Sequence, residues 1–519
     1  MTSGETPTGS QFRRILAIIA SVILPPLGLV LLWIQPFKRG MLPRLSEVAL
    51  RLAFSLVLVI LTFAYLSALG LLHVEMSGGG IAQPFVTFRN SEDDQTALEA
   101  HRSEQHAAVE PALAPIAPEA PPAASDPPAV TEATGPSWID FRGPNREGSY
   151  TDGAIRTSFP VEGPERLWRQ PIGGGYATFV IANGRAFTIE QRRHREVVTA
   201  YELHTGREVW TQGWQALFSE TMGGDGPRAT PVWDSGRVYA LGAAGDLVVL
   251  DAASGKRVWS KNILVENKAE NVYWGMSNAP LIVEEKVIVT PGGPNGRSVV
   301  AYNKHTGEYL WGELDDRAAY TSPMLMTLAG KRQIVLATAT RVVGLAVEDG
   351  KLLWEFPWVT NQGINSAQPI ATDENHLFVS AGYDHGSVLL EITPVAEGLS
   401  ARPAWESKSM KNRFNSSVLY DHHIYGFDEG IFACIDARTG ERKWKGGRYG
   451  YGQALLAGDH ILVLTETGEV VILKATPESH QEVASFSAIE GKTWNHPAIA
   501  GGILLVRNAR EMAAYRIGR

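Results

Sequence analysis

A single cysteine, Cys434, stands in 519 residues, so an intrachain disulfide is excluded and cysteine usage carries no information on redox compartment. Basic residues are also short: 47 Lys and Arg against 55 Asp and Glu give a formal charge of -8. The deficit is uneven. Residues 77–136 hold nine acidic and two basic side chains, and residues 1–76 hold six basic and three acidic, which leaves about -4 for the remainder. The main body is nearly neutral and lacks the basic stripe that phosphate backbones require, so a nucleic-acid partner is not expected. Metal-ligand spacing is missing too, since His422-His423 falls at a predicted inner hairpin turn and the other histidines are scattered. The glycine-rich "PGGPNG" (291–296) has no helix after it and does not read as a phosphate cradle.

What is present begins with two apolar runs, "FRRILAIIASVILPPLGLVLLWI" (12–34) and "VALRLAFSLVLVILTFAYLSALGLL" (48–72). Each has about 20 apolar residues, the length an α-helix needs to cross a bilayer. The second is the cleaner helix, its one charge, Arg51, lying near an end where a long side chain can reach the headgroups. The first carries Pro25-Pro26 at its centre, so a spanning helix and a re-entrant hairpin are both open. Both runs exceed a signal-peptide h-region, and no small-residue cleavage site follows the first. Lys38, Arg39 and Arg44 in the connection place it in the cytoplasm, and the chain after residue 72 outside the cytoplasmic membrane, in a periplasmic location. Residues 1–76 are thus read as a two-helix anchor.

Residues 77–136 combine acidic charge, few aromatics and clustered prolines, the composition of a disordered linker. It ends abruptly in "WIDFRGPNREG" (138–148), which opens a body of residues 137–519.

From about 165 onward the chain repeats itself: "AYELHTGREVW" (200–210), "VLDAASGKRVW" (249–259), "AYNKHTGEYLW" (301–311), "GLAVEDGKLLW" (344–354) and "CIDARTGERKW" (434–444). Each reads as a β-hairpin whose turn Gly takes a positive φ and whose second strand ends in a Trp. Glu202, Asp251, Asn303 and Asp436 are placed to accept from turn amides. Another hairpin precedes each of these, so every period holds four strands. Counting Trp168, Trp210, Trp259, Trp311, Trp354, Trp405 and Trp444, with Phe486 as a degenerate eighth position, the spacings are 42, 49, 52, 43, 51, 39 and 42 residues. Four antiparallel strands every 40 to 50 residues or so is the pattern of a β-propeller, an all-β fold. An orphan strand around Trp168 and three strands at the carboxyl end complete one blade between them. The arithmetic gives eight blades, with seven still open.

The ladder of Thr-Gly-x-x-x-Trp hairpins resembles the pyrroloquinoline quinone (PQQ) repeat propellers, which include quinoprotein alcohol dehydrogenases and the lipoprotein propeller of the outer-membrane β-barrel assembly machine. The stretch from Trp138 is similar to the Trp-x-x-Phe-Arg-Gly-Pro lead-in of membrane-attached or exported bacterial members. That likeness implies that Trp138 and Phe141 dock on the propeller while Gly143-Pro144 and Gly148 turn the chain into it; Arg142 and Arg146 are either part of this latch or ligand contacts. In the dehydrogenases of the family the cofactor lies over the axis with a calcium ion held by acidic and amide groups, an Asp is the base, and a vicinal cysteine pair packs on the quinone. Cys434 alone cannot supply that pair, and it occupies the small-residue position of Ala200 and Ala301, where it reads as packing. The dehydrogenases also carry long insertions that these short blades lack.

Site candidates come from topology. The connections from each outer strand to the next inner strand line one face of the ring and contribute Arg228, Trp274, Asn278, Arg317, Tyr320, Asn365, Arg413, Asn415, Tyr451, Trp494, Asn495 and His496. Such a rim could clasp a planar anionic ligand or an extended peptide, or its groups could serve backbone amides where the strands converge. Asp225, Asp315 and Asp316 are the nearest candidates for calcium, and Asp384-His385 for an acid-base pair. The reading that results is an extracytoplasmic binding or scaffold module of the cell envelope, with a protein partner or small ligand over the funnel. Its rival is a membrane-bound PQQ-dependent dehydrogenase oxidising an alcohol or sugar.

Overall fold

The computed structural model describes residues 41–68, 73–76, 84–87, 91–107, 132–220 and 223–519. The first apolar run lies outside them. Met41–Ala68 forms a helix, α1. Within it Glu47–Leu66 has a mean hydropathy of 2.2 and is the one helix among the described residues long and apolar enough to cross a membrane. Two such helices were expected. Arg51, expected to reach outward on its own, pairs with Glu47 one turn earlier at 2.7 Å. The chain forms two compact units; α1 belongs to one, and residues 95–519 lie in the other.

The acidic tract requires a correction. Ser91–Ala107 forms a second helix, α2. Between Pro84 and Pro111 the tract has no proline, and Ala97, Leu98, Glu99 and Ala100 are good helix formers, so a composition judged over the whole tract hid a helix-permissive core. The propeller supplies the stabilisation that a short polar helix lacks alone. Arg102, 5% exposed, donates to the Pro171 carbonyl at 2.8 Å and the Gln170 side chain at 3.1 Å and pairs with Glu208 at 3.4 Å. One turn away Arg193 clasps Glu99 through two bonds of 2.6 and 2.9 Å.

Eight four-stranded antiparallel blades form the body. In chain order they occupy residues 180–215, 232–262, 281–313, 324–357, 370–407, 418–448, 453–487 and 498–516, and are called blades 1 to 8. Blade 8 is completed by Glu165–Pro171, which pairs antiparallel with Glu511–Arg516 in the register Trp168 to Ala514. Arg169–Glu511 and Arg516–Glu165 ion pairs flank that seam. The inner three strands of each blade are mostly buried and the outer strands largely exposed, as in Arg257–Asn262, so the apolar faces pack blade against blade.

The repeat motif acquires a physical meaning at these blade interfaces. Trp168 of blade 8 donates its indole N–H to the Leu203 carbonyl of blade 1 at 2.9 Å. Trp210, Trp259, Trp405 and Trp444 do the same to Ala252, Lys304, Ala437 and Thr476 of their following blades, at 2.9 to 3.1 Å. The turn Gly of the following blade lies flat on the ring: a Cβ on Gly206, Gly255, Gly307 or Gly440 would stand 2.7 to 2.9 Å from the Trp of the blade before. Glycine is thus required twice, for its positive φ and for the space. Asp251, Asn303 and Asp436 accept turn amides as expected; Glu202 instead accepts the Thr205 hydroxyl at 2.6 Å. Blade 5 has no Thr-Gly turn, and Trp354 before it turns back to Gln333 of its own blade at 2.5 Å. Phe486 packs on Tyr515 of blade 8, with ring centroids 5.1 Å apart. Cys434 is fully buried among the side chains between blades 6 and 7.

Two glycine substitutions separate these requirements. Gly184 has φ +71° and nothing within 4 Å of an added Cβ, whereas Gly255 has φ +72° with the Trp210 ring at 2.7 Å. Gly184→Ala is expected to cost about 1 to 2 kcal/mol from backbone conformation alone, and Gly255→Ala a further 1 to 3 kcal/mol or so from the ring. Equal losses in urea unfolding would refute the ring contact as a determinant.

Candidate functional site

The lead-in segment occupies the centre of the ring. It arrives beside the inner hairpin turn of blade 1, where the Thr134 amide donates to Asn183 at 2.7 Å, and Trp138 bridges to Ile181 through reciprocal bonds of 2.8 Å. Arg142 and Arg146 then take left-handed conformations, φ 63° and 60°. Arg146 pairs with Asp140 and donates to the Ala279 and Pro280 carbonyls just ahead of blade 3 and the Pro323 carbonyl just ahead of blade 4. Arg142 donates to Ser417 ahead of blade 6 at 2.8 Å and meets His496 ahead of blade 8 at 3.3 Å. Ser149 and Tyr150 add a short parallel strand to blade 7, and the Trp233 amide of blade 2 donates to the Ile139 carbonyl. Among the described residues, counting each blade with the connection that leads into it, only blade 5 makes no hydrogen bond to residues 138–150. Trp138 is buried and Phe141 meets His496 edge-on at 6.0 Å, so both dock as expected. Gly143 and Gly148 turn as expected; a Cβ on Gly148 would stand 2.6 Å from the Arg142 guanidinium. The two arginines, open in sequence between latch and ligand, here serve the carbonyls that converge on the axis.

The outer-to-inner connections lie on the opposite face. They bring together Arg228, Trp494, Tyr451 and Arg413, along with partners that the sequence reading passed over. Arg228 lies 5.5 Å from the centre of Tyr176 and 4.6 Å from that of Phe218. Tyr176 stacks on Trp494 at 5.4 Å; Trp494 meets Phe414 at 4.7 Å, and Phe414 meets Tyr451 at 5.6 Å. Arg413 covers Tyr451 and Tyr383, and Lys492 covers Trp494 at 4.4 Å. Two carboxylates fix this arc: Glu466 accepts the Trp494 indole N–H at 2.9 Å, and Glu429 accepts from Arg413 at 2.8 Å and from the Tyr451 hydroxyl at 3.0 Å. The signal for the missed members was present in their positions, since Tyr176, Phe414 and Lys492 all sit in connections leading to an inner strand. Trp274 and Tyr320 form a separate cluster with Tyr273, which is 68% exposed.

The remaining candidates are structural. Asn278, Asn365, Asn415 and Asn495 are buried and donate to backbone carbonyls, Asn278 to Ala319 and Thr321, Asn495 to Gly175 and Ala177. Arg317 is exposed and joins neither cluster. His496 lies beneath the rim, where burial and then the Arg142 charge push its pKa down to about 3. Asp384 pairs with Lys411 while the His385 ring packs edge-on against Trp358, so the two do not form an acid-base pair. His422-His423 does fall at an inner hairpin turn.

Calcium with a bound quinone needs several converging oxygen donors. Asp315 accepts the Gly296 amide, Asp316 is held by Arg341 and Thr340, and Asp225 is exposed. Glu429 and Glu466 are taken by the arc itself. Among the described residues no three His, Cys, Asp or Glu side chains are grouped to hold a metal, and this donor set does not fit the calcium site of a quinoprotein.

Comparisons place the repeats. Residues 194–446 match the family profile described as outer membrane protein assembly factor BamB. The chain is 24% identical over 320 residues to that factor from Burkholderia pseudomallei (strain K96243), covering 58% of this chain and 76% of the relative. It is 32% identical over 123 residues to the quinohemoprotein alcohol dehydrogenase of Comamonas testosteroni, spanning 22% of this chain and only 16% of the enzyme's length. Among solved structures, BamB from Moraxella catarrhalis aligns with a TM-score of 0.50 at 14% identity, over 68% of this chain and 100% of the other. The quinohemoprotein alcohol dehydrogenase ADHIIG of Pseudomonas putida gives 0.52 at 13% identity, over 74% and 80%. At those identities the structures establish the shared propeller fold.

Two buried groups give opposite pH dependences. His496 titrates near 3 in the fold against about 6.5 unfolded, so stability falls as pH drops from about 6.5 towards 3. His496→Gln should flatten that decline. Glu196 is pushed up to about 7, chiefly by burial, with the Ala243 amide and Arg228 opposing and Asp246 reinforcing. Its folded pKa exceeds the unfolded value, so its contribution is intact below about 4.5 and is lost as pH rises through 7. Glu196→Gln should therefore be more stable than the parent at pH 8, by about 3 kcal/mol, and equal to it near pH 4.5. Unfolding curves at the two pH values check both.

Proposed function

We infer that this chain, whose repeats are of the PQQ-binding-like propeller type, is a binding module of the cell envelope, anchored in the cytoplasmic membrane through α1 and displayed on the extracytoplasmic side. The apolar stretch Glu47–Leu66 and the basic residues before it support the anchor and its orientation. One observation carries the binding role: an unbroken run of aromatic rings and cations from Phe218 and Arg228 through Trp494 to Arg413 and Tyr383, built from the connections leading into blades 1, 2, 6, 7 and 8 and from a hairpin turn of blade 5 at Tyr383. Rigid aromatic surface edged by guanidinium groups is the composition of interface hot spots. Carboxylates held beneath the rings keep them in place without ligand, so little ordering is lost on binding. The assembly-factor relatives, by their printed name, work with other proteins, which supports a protein partner on this face.

Crosslinking tests this reading. A benzophenone amino acid at Tyr273, on the rim face, should give a discrete envelope-protein adduct in membranes, and the same group at exposed Val161 should not. Replacing Arg413 and Trp494 by Ala should lower the adduct about tenfold while leaving the melting temperature within a few degrees. Alcohol- or sugar-dependent dye reduction by the purified chain with PQQ and Ca²⁺ would overturn the binding role in favour of the PQQ-dependent dehydrogenase.

A further inference from the structure

On the face opposite the rim arc, a cavity of about 450 Å³ lies between the axial segment and blades 3 to 6. Its size falls within the range of small-molecule sites. Leu281, Ile282, Met324, Met326, Ile370 and Leu419 line it from the blades, and Asp140, Arg142, Arg146 and Glu147 from the segment. It adjoins blade 5, the blade that the segment leaves unbonded, and Met side chains give that wall adaptable shape.

The charges on the segment side do not pair off. Arg146 has its carboxylate, Asp140, at 2.8 Å. Arg142 has none within 4 Å, although only 1% of it is exposed; its bonds run to the Glu147 and Ser417 carbonyls and to His496, which is neutral there. Its Nε is buried without any acceptor. Glu147 also lines the cavity, but it is exposed to solvent and its carboxyl stays beyond ion-pair distance, so it acts on Arg142 only from afar. A buried cation without an ion-paired anion is costly, and here it lines the same cavity as the Met and Leu side chains of the blades. We propose that this cavity binds a small carboxylate with an aliphatic body, the head meeting Arg142 and the body lying on the Met and Leu side chains of blades 3 to 6. The site is independent of the rim arc and of the binding role assigned to it.

The test uses the full chain in lipid nanodiscs, with empty nanodiscs as blank, and calorimetric titration with hexanoate, acetate and 1-hexanol. Hexanoate is expected to bind one to one, at least tenfold more tightly than acetate, which lacks the body, and than hexanol, which lacks the charge. Met326→Trp fills the cavity from the blade 4 wall and should abolish hexanoate binding while the protein keeps its melting transition. Arg142→Gln should bring hexanoate down to the level of hexanol; if that variant does not fold, the hexanol comparison and Met326→Trp carry the decision. Absence of saturable hexanoate binding, equal binding of hexanol, or undiminished binding by Met326→Trp would each overturn the proposal.

Discussion

The ring depends on one contact repeated around it: the indole of an outer-strand Trp lying on the turn glycine of the next blade and donating its N–H to that blade's backbone. A sheet of four strands has two apolar faces and cannot bury them alone. The Trp contact couples each blade to its successor at the outer edge, while the inner strands converge at the axis. Six of the seven Trp positions follow the pattern at the glycine, at the carbonyl or at both. The exception shows the rule: before blade 5, which lacks the turn, the Trp354 N–H finds its acceptor in Gln333 instead.

A closed ring makes two demands that the repeat itself does not meet. The first is an end to the edge strands, met when Glu165–Pro171 joins the carboxyl-terminal strands. The second arises at the axis. Inner strands from eight directions present carbonyl groups to a narrow space, and buried carbonyls need donors. A guanidinium offers five N–H groups in a fixed fork, so two arginines on one short segment reach four blades directly. Left-handed backbone at both arginines, with glycines between and after them, packs that many donors into so little chain.

Periodic features were the most legible in the sequence. Four-strand periods, the Trp positions, the shared eighth blade and the side-chain caps at Asp251, Asn303 and Asp436 all follow from residue type at fixed spacing. The axial role of Arg142 and Arg146 was not legible, because it depends on carbonyls more than 130 residues away that no local pattern announces. The rim was half legible: topology placed Arg228, Arg413, Tyr451 and Trp494 on one face, but the asparagines among them proved to be backbone staples, a distinction set by burial rather than by sequence position. Helix α2 escaped notice because disorder was judged from average composition, whereas Arg102, Glu99 and their partners act one residue at a time.

The axial segment also divides the molecule chemically. On the rim face, each charged group of the arc has an opposite charge or a ring against it, so that surface is poised and electrostatically settled before anything binds. On the other face, Arg142 serves two carbonyls and a neutral imidazole, and the acid that acts on it, Glu147, stays beyond ion-pair distance. Had the chain placed an acid beside Arg142 as it placed Asp140 beside Arg146, the axis would be sealed on both sides. Keeping one buried arginine without an ion-paired carboxylate costs stability, and that cost falls where the segment leaves space against blade 5, so the missing pair and the cavity are two aspects of one arrangement.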